Sequence, residues 1–258
     1  MATSVLLRLR EAGCVFAEDE ARLLREVATS AEHLEDLVSR RIAGEPLEYL
    51  VGFVEFGGER WDIRPGVFIP RQRSELLVEE AARYPGARIL DLCCGCGVLG
   101  RSLQRRIGGN LIGADVSADA LESAQANGLS EAYRGDLFDA LPDDYRARFA
   151  IILANAPYVP TAAIADMPRE SRDYEPRSAV DGGSDGMDIQ RRILREAGTW
   201  LAPGGRLLTE TSEEQSSALM AQAVELGWEA DLVHDPERGA HVLVVHRAPR
   251  PADLASGS

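Results

Sequence analysis

Arg88-Ile89-Leu90-Asp91-Leu92-Cys93-Cys94-Gly95-Cys96-Gly97 is the stretch that decides the fold. Its first half reads as a strand, and it runs into a turn of glycines and cysteines. Residues 98–107 then read as a helix. Small residues in such a turn let a backbone approach a ligand, and the start of the following helix carries partial positive charge. A second strand over 110–114 ends in Asp115, 24 residues after Asp91. An acid about 20 residues on that takes ribose hydroxyls is the nucleoside signature of doubly wound folds. The dinucleotide spacing Gly95-x-Gly97-x-x-Gly100 is present, but Asp91 stands inside the strand just before it. A carboxylate there disfavours a pyrophosphate and suits a cationic or amine-bearing ligand, which points to S-adenosylmethionine over NAD.

Downstream, residues 119–128 read as a short helix and 132–135 as a brief strand running into Asp136-Leu137-Phe138. Asp136 with Leu137 suits an adenine, the acid for its exocyclic amine and the apolar side chain for its face; an ordinary capping acid is the plainer alternative. Residues 149–154 form the next strand, which ends in Asn155-Ala156-Pro157-Tyr158. Ligands of open α/β sheets bind beyond the carboxyl ends of the strands. Asn155 offers a side-chain carbonyl acceptor, and Pro157 drives Ala156 toward an extended backbone that turns its C=O the same way. Two acceptors side by side, with a flat ring behind, suit a planar substrate NH2. The alternative is a strand-end turn that uses Asn and Pro for backbone geometry alone.

Residues 161–186 are rich in Pro, Asp and Gly and read as a long loop, placed to act as a substrate lid beside Asn155. A helix over 188–201, a strand over 206–211, a helix over 216–226 and a closing strand pair, 228–233 with 240–247, complete the sheet. Upstream of the decisive stretch, residues 74–83 read as a helix. Residues 51–56 and 60–63 flank Gly57-Gly58-Glu59 as a hairpin. Residues 2–43 carry apolar positions at helical spacing, with Ser30 as a cap. The expected organisation is a helical N-terminal domain over 1–46, a β-hairpin linker over 47–72, the main domain over 73–247 and a disordered tail over 248–258.

The 258 residues carry a formal charge of −14, and every one of the 28 basic residues is arginine. Without lysine, a Walker-type phosphate lysine and a Schiff-base lysine are excluded. The acidic balance argues against duplex nucleic-acid binding, which depends on phosphate neutralisation. No apolar run approaches the ~20 residues of a membrane span, and the first ten residues lack a signal-peptide layout, so a cytoplasmic protein is expected. Cys93 and Cys96 make half a zinc site, but Cys14 is the one cysteine outside the 93–96 loop and the histidines show no matching spacing, so no metal is expected.

Gly44-Glu45-Pro46-Leu47-Glu48-Tyr49-Leu50-Val51-Gly52, Phe68-Ile69-Pro70-Arg71, the 91–97 loop, Asn155-Ala156-Pro157-Tyr158 and Tyr174-Glu175-Pro176-Arg177 follow one another in the order of a known family. Over about residues 2–247 the chain resembles the HemK-type protein-(glutamine-N5) methyltransferases, which modify a glutamine of peptide-chain release factors. The resemblance implies a Rossmann-like class I methyltransferase fold of the α/β class, seven strands with one antiparallel, behind a small helical domain. It implies S-adenosyl-L-methionine as cofactor, held by Cys93, Cys94, Gly95, Cys96, Gly97, Asp115, Leu137 and Asn155, beside the Asp91 and Asp136 read above. It implies that Asn155, Ala156, Pro157 and Tyr158 hold the glutamine amide, with Phe68, Pro70 and Arg71 of the linker next to them, and that the partner is a release factor. Besides a short helical domain, two departures stand out. The family has two prolines where this chain has Ala156-Pro157, and its Pro-Arg-Pro-acid-Thr-Glu linker is here Pro70-Arg71-Gln72-Arg73-Ser74-Glu75. Three rivals follow from the same motifs: an adenine N-methyltransferase, a small-molecule N-methyltransferase, and a cofactor-binding interaction module without turnover.

Overall fold

A computed structural model describes residues 4–247; the tail expected over 248–258 lies outside the described residues. The chain opens with α1 (Val5–Glu11), α2 (Ala17–Val27), α3 (Ala31–Ile42) and α4 (Leu47–Val51). Ser4 and Ser30 cap α1 and α3 by accepting the backbone N–H of Leu7 and His33, satisfying donors that a helix start leaves free. Glu18, Asp19 and Glu20 occupy the first turn of α2, where the helix dipole favours them. Leu9, Ala21, Leu24, Leu37, Val38 and Leu50 form a small core of their own. The strand-like reading of residue 51 is corrected: Leu47–Val51 is one helical turn, stopped by Gly52 at φ +80°. A single turn is too short to show a helical period.

β1 (Phe53–Phe56) and β2 (Glu59–Asp62) pair antiparallel around Gly57-Gly58. Both glycines have positive φ, which the favoured two-residue hairpin turn demands. Val54, Phe56 and Trp61 bury into the large core instead of the small helical one.

From there the chain runs α5 (Glu75–Ala81), β3 (Arg88–Leu92), α6 (Val98–Ile107), β4 (Asn110–Asp115), α7 (Ala118–Ala126), β5 (Ala132–Arg134) and β6 (Phe149–Ala154). After β6 come α8 (Arg169–Tyr174), α9 (Arg177–Val180), α10 (Asp188–Trp200), β7 (Leu201–Thr211), α11 (Glu213–Glu225), β8 (Glu229–Asp235) and β9 (Ala240–His246). The seven-stranded sheet has the order β5-β4-β3-β6-β7-β9-β8, and β9 alone runs antiparallel. Ile89, Ile151 and Leu153 face one core with α5, α6 and α7, whereas Leu90, Leu92, Ile152 and Ala154 face the other with α10 and α11. Burial on both faces explains why β6 reads as an unbroken apolar run and β3 as one interrupted by Asp91 alone after its first residue. The strand order reverses beside β3, where the chain leaves toward β4 on one side and β6 flanks the other. The crevice at that switch point is where such sheets bind ligands.

Two further expectations are corrected. Residues 161–186 are not one loop: a 3₁₀ stretch (Thr161–Asp166), α8 and α9 fill most of it, each directly after a proline. Proline is pre-organised for a helix start, but stretches of four to six residues carry no readable period. β7 begins at Leu201, not at 206. Phe149 pairs with Leu201 and Ile151 with Arg206, so Pro203-Gly204-Gly205 is absorbed as a bulge within the strand. Among the described residues no helix is long and apolar enough to cross a membrane.

Candidate active site

The loop after β3 reverses direction within five residues, with Cys93 at φ +59°, Gly95 at +53° and Gly97 at +76°. A left-handed conformation costs an L-residue about 1–2 kcal/mol, so Cys93 is held there by its surroundings. Gly95 opens onto empty space: a Cβ there would meet nothing within 4 Å. Beyond it lies a cleft lined by Cys93, Cys94, Gly95 and Cys96, by Asp115 and Val116 at the end of β4, by Asp136 and Leu137 after β5, and by Asn155 and Pro157 after β6. Phe68 and Pro70 of the linker close its near side. Burial pushes the thiols of Cys93, Cys94 and Cys96 up, so they stand as neutral small side chains. Among the described residues no group of three or more His, Cys, Asp or Glu could hold a metal ion.

Asp115 is fixed by backbone donors. The N–H of Gly95 reaches its Oδ2 at 2.9 Å and that of Ser117 its Oδ1 at 2.9 Å. Burial raises this carboxyl, and the Ser117, Gly95 and Val116 N–H groups oppose that rise. Each oxygen keeps acceptor capacity for a diol. Asp136 is held by Arg192 of α10 at 2.8 Å.

Two expected cleft residues stand behind the lining instead. Asp91 is 1% exposed; its Oδ2 accepts from the Gly100 N–H at 2.8 Å and its Oδ1 is buried without a partner. Burial pushes this carboxyl up to about 7. It braces the start of α6, and a Cβ on Gly100 would sit 2.7 Å from it. Gly97 packs against Ala124 of α7, and a Cβ there would lie 3.0 Å from that alanine's.

A second cavity of about 450 Å3 adjoins the first and shares Phe68, Asn155 and Pro157 with it. Arg71, Arg73, Ala156, Tyr158, Met167 and Glu170 are among its other walls. All four residues of the strand-end motif therefore reach this cavity, and Asn155 stands at the junction of the two. Its Nδ2 donates to Ser74 Oγ at 3.2 Å, which leaves its carbonyl oxygen free. The Tyr158 hydroxyl donates to Glu210 Oε1 at 3.0 Å and accepts from Arg73 Nη2 at 2.5 Å. Burial and the Glu210 charge push the phenol up, so it is a donor and a wall, not a base.

Arg71, expected to meet substrate, divides its role. It lines the cavity, and its Nη2 lies 2.6 Å from both oxygens of Glu175 and 3.0 Å from Ser171 Oγ. Glu175 also accepts from the Ile69 N–H at 3.1 Å. The linker motif and the 174–177 motif are thus two halves of one ion pair, joining the linker to the residues beside α8. Sequence reading missed Ser74, Arg73, Glu210 and the pair of Arg41 with Glu170 at 2.8 Å, which ties α3 to α8. The one available signal was Glu210, an acid at the carboxyl end of an apolar strand.

The family model of the methyltransferase small domain matches residues 63–168. A release factor glutamine methyltransferase of Geobacter sulfurreducens is 38% identical over 200 residues, covering 74% of this chain and 69% of the relative. One of Bradyrhizobium diazoefficiens is 34% identical over 249 residues, covering 91% and 77%. Among solved structures, a methyltransferase from Pyrococcus furiosus is similar with a TM-score of 0.57 at 14% identity, over 73% of this chain and 89% of that one.

Proposed function

The chain belongs to the release factor glutamine methyltransferase family, and from that premise we propose that it methylates the side-chain amide nitrogen of a glutamine in a peptide-chain release factor, using S-adenosyl-L-methionine. One observation carries the reading: a nucleoside-type cleft and a separate cavity meet at Asn155, the residue with a free amide oxygen. The reaction needs such a meeting, because methyl donor and acceptor nitrogen must face each other in line.

The cleft suits the cofactor. Asp115 retains acceptors for a ribose diol, Leu137 and Val116 offer apolar faces for an adenine, Asp136 offers a carboxylate to its amine, and Gly95 lets the backbone come close. When bound, S-adenosylmethionine supplies an electrophilic methyl group on a sulfonium. The residues of this chain do the rest. An amide nitrogen is a poor nucleophile because its lone pair is delocalised, so catalysis has to come from position and charge. The Asn155 side-chain oxygen and the Ala156 carbonyl accept the two N–H groups of the glutamine amide, which fixes the nitrogen and stabilises positive charge as it grows. Proline after residue 156 keeps that carbonyl aimed; a second proline at 156 itself is not needed for the acceptor. Phe68 and Pro157, shared by both cavities, exclude water around the junction. Tyr158 holds its own proton on Glu210, so the amide's proton leaves to water after transfer.

The acidic surface, −14 overall, favours a protein acceptor over a nucleic acid, in the cytoplasm where release factors act. The test is incubation of the protein with methyl-labelled cofactor and an unmethylated release factor, followed by peptide mass spectrometry. Label on one glutamine side chain is the expected result. Label on nucleic acid or small molecules alone, or cofactor binding without turnover, overturns the reading.

A further inference from the structure

We propose that Ser74 is a positioning residue for the acceptor amide, holding the Asn155 side chain so that its carbonyl oxygen is left for the substrate; this rests on the reading of Asn155 just given. Ser74 is fully buried, at 0% exposure. A serine at the start of a helix ordinarily caps it, but this one does not. It precedes α5 with φ −67° and ψ −8°, already helical, and makes no side-chain cap hydrogen bond. Its backbone N–H closes the preceding 3₁₀ turn on the Arg71 carbonyl at 2.9 Å. The hydroxyl is instead the partner of Asn155 Nδ2 at 3.2 Å, across 81 residues of sequence.

A hydroxyl can accept or donate; in the structure the Ser74 oxygen accepts from the Asn155 NH2. Among the described residues this is the side-chain hydrogen bond that Asn155 makes. With the NH2 engaged on Ser74, the oxygen faces acceptor duty; with the amide reversed, a donor would confront the donors of the incoming NH2. A residue at a cavity junction with one partner depends on that partner for its rotamer. The neighbouring residue does the same for the other polar side chain of the motif, since Arg73 donates to the Tyr158 hydroxyl. The start of α5 is thus the back wall on which the strand-end motif is set.

The experiment uses full-length protein, unmethylated release factor and S-adenosylmethionine, with Ser74→Ala and Ser74→Thr. Loss of one net hydrogen bond predicts a two- to tenfold lower kcat for Ser74→Ala, unchanged cofactor affinity, and recovery to within about twofold of wild type in Ser74→Thr. In an Asn155→Ala background, adding Ser74→Ala should change nothing more, because the residue acts through Asn155. A second readout is independent of turnover. With asparagine labelled in nitrogen-15, the Asn155 NH2 signals should exchange slowly with solvent in wild type and Ser74→Thr, and fast in Ser74→Ala. If Ser74→Ala folds poorly, Ser74→Thr and Ser74→Val, alike in shape and different in the hydroxyl, make the same comparison. Full kcat in the hydroxyl-free variant, an undiminished penalty in the Asn155→Ala background, or amide exchange indifferent to the hydroxyl would each overturn the proposal. A wild-type protein that leaves the release factor unmethylated would instead overturn the functional reading, while the exchange measurement still judges the contact.

Discussion

Replacing Asp91 by Asn should change how stability depends on pH. The Asp91 carboxyl is buried beneath α6 with one oxygen on the Gly100 N–H and the other unpartnered. Burial, assisted by the Asp115 charge and opposed by the Gly100 N–H, raises it from an ordinary 3.8 to about 7. The folded chain therefore holds a proton that the unfolded chain has already shed between about pH 4 and 7. Stability contributed by this group is present below the unfolded value and is lost as pH rises through the window, then stays flat above it. The gap is worth about 4 kcal/mol at 1.36 kcal/mol per tenfold, of which about 2–3 kcal/mol falls between pH 5 and 8. Asn keeps the acceptor for Gly100 but puts an NH2 where the orphan oxygen was, a pH-independent cost of about 1–3 kcal/mol. The informative quantity is thus the change in the difference between the two proteins, not the difference at one pH. In thermal melts of wild type and Asp91→Asn at pH 5 and pH 8, the variant should gain on wild type by about 5–10 °C at the higher pH, at 2–4 °C per kcal/mol for a chain of this size. Asp115, also raised by burial, titrates in both proteins and cancels. A melting difference that is the same at both pH values would refute the placement of Asp91 as a buried, strained acid.

Three other outcomes are expected. Asn155→Ala should lower single-turnover methyl transfer about 10²–10³-fold with little change in melting temperature; early melting with wild-type transfer would return the motif to a mere turn. Asp115→Ala should weaken cofactor binding by about 1.5–3 kcal/mol, ten- to over a hundredfold, and unchanged calorimetric affinity would remove it from the ribose site. Arg41→Ala should destabilise the protein by about 3–5 kcal/mol, because it strands the buried Glu20 carboxylate; denaturant titration reads this directly, and a loss below 1 kcal/mol would show the pair to be water-screened.

The parts legible in the sequence are those where one physical demand fixes several residues at once. Strands β3 and β6 are covered on both faces and so are largely apolar, and the turn between β3 and α6 places Gly95 and Gly97 where φ is positive, so strand, loop and helix announce themselves together. Asp115 was legible because it ends a strand one crossover later. The depth of an acid within its strand was not: Asp91 shares its face with Ile89 and lies under Gly100, where α6 covers it, and a pattern along the chain does not say how close that helix comes. α4, α8 and α9 are shorter than the window in which a helical period shows. The bulge at 202–205 looked like a turn because Pro-Gly-Gly serves both. Ser74 and Glu210 make contacts 81 and 52 residues away in sequence; nothing local marks Ser74, and Glu210 is marked only by its place at the end of an apolar strand.

The second cavity, where the acceptor is proposed to sit, draws its walls from separate parts of the chain, and arginine–carboxylate pairs stitch these together. Arg41 of α3 meets Glu20 and, through Glu170, α8; Arg71 of the linker meets Glu175 beside α8; Arg73 meets Glu210 at the end of β7. The side chains of Glu20, Glu175 and Glu210 are 8%, 0% and 2% exposed. A pair buried on both sides, as Arg41–Glu20 is, adds little net stability over apolar residues of the same volume, yet costs several kcal/mol when one partner is removed. Arg71 and Arg73 keep part of their side chains in solvent, and their pairs add less. Their value is therefore geometric. A guanidinium is planar, always charged and able to serve two partners at once, which is what Arg41 and Arg73 do, and a lysine ammonium has no such fork. In a chain whose basic residues are all arginine, the helical domain, the linker and α8 are set in register with Asn155 by directional contacts, so that a loss at Arg41, which lines neither cavity but holds the cavity-wall residue Glu170, should be felt in the second cavity.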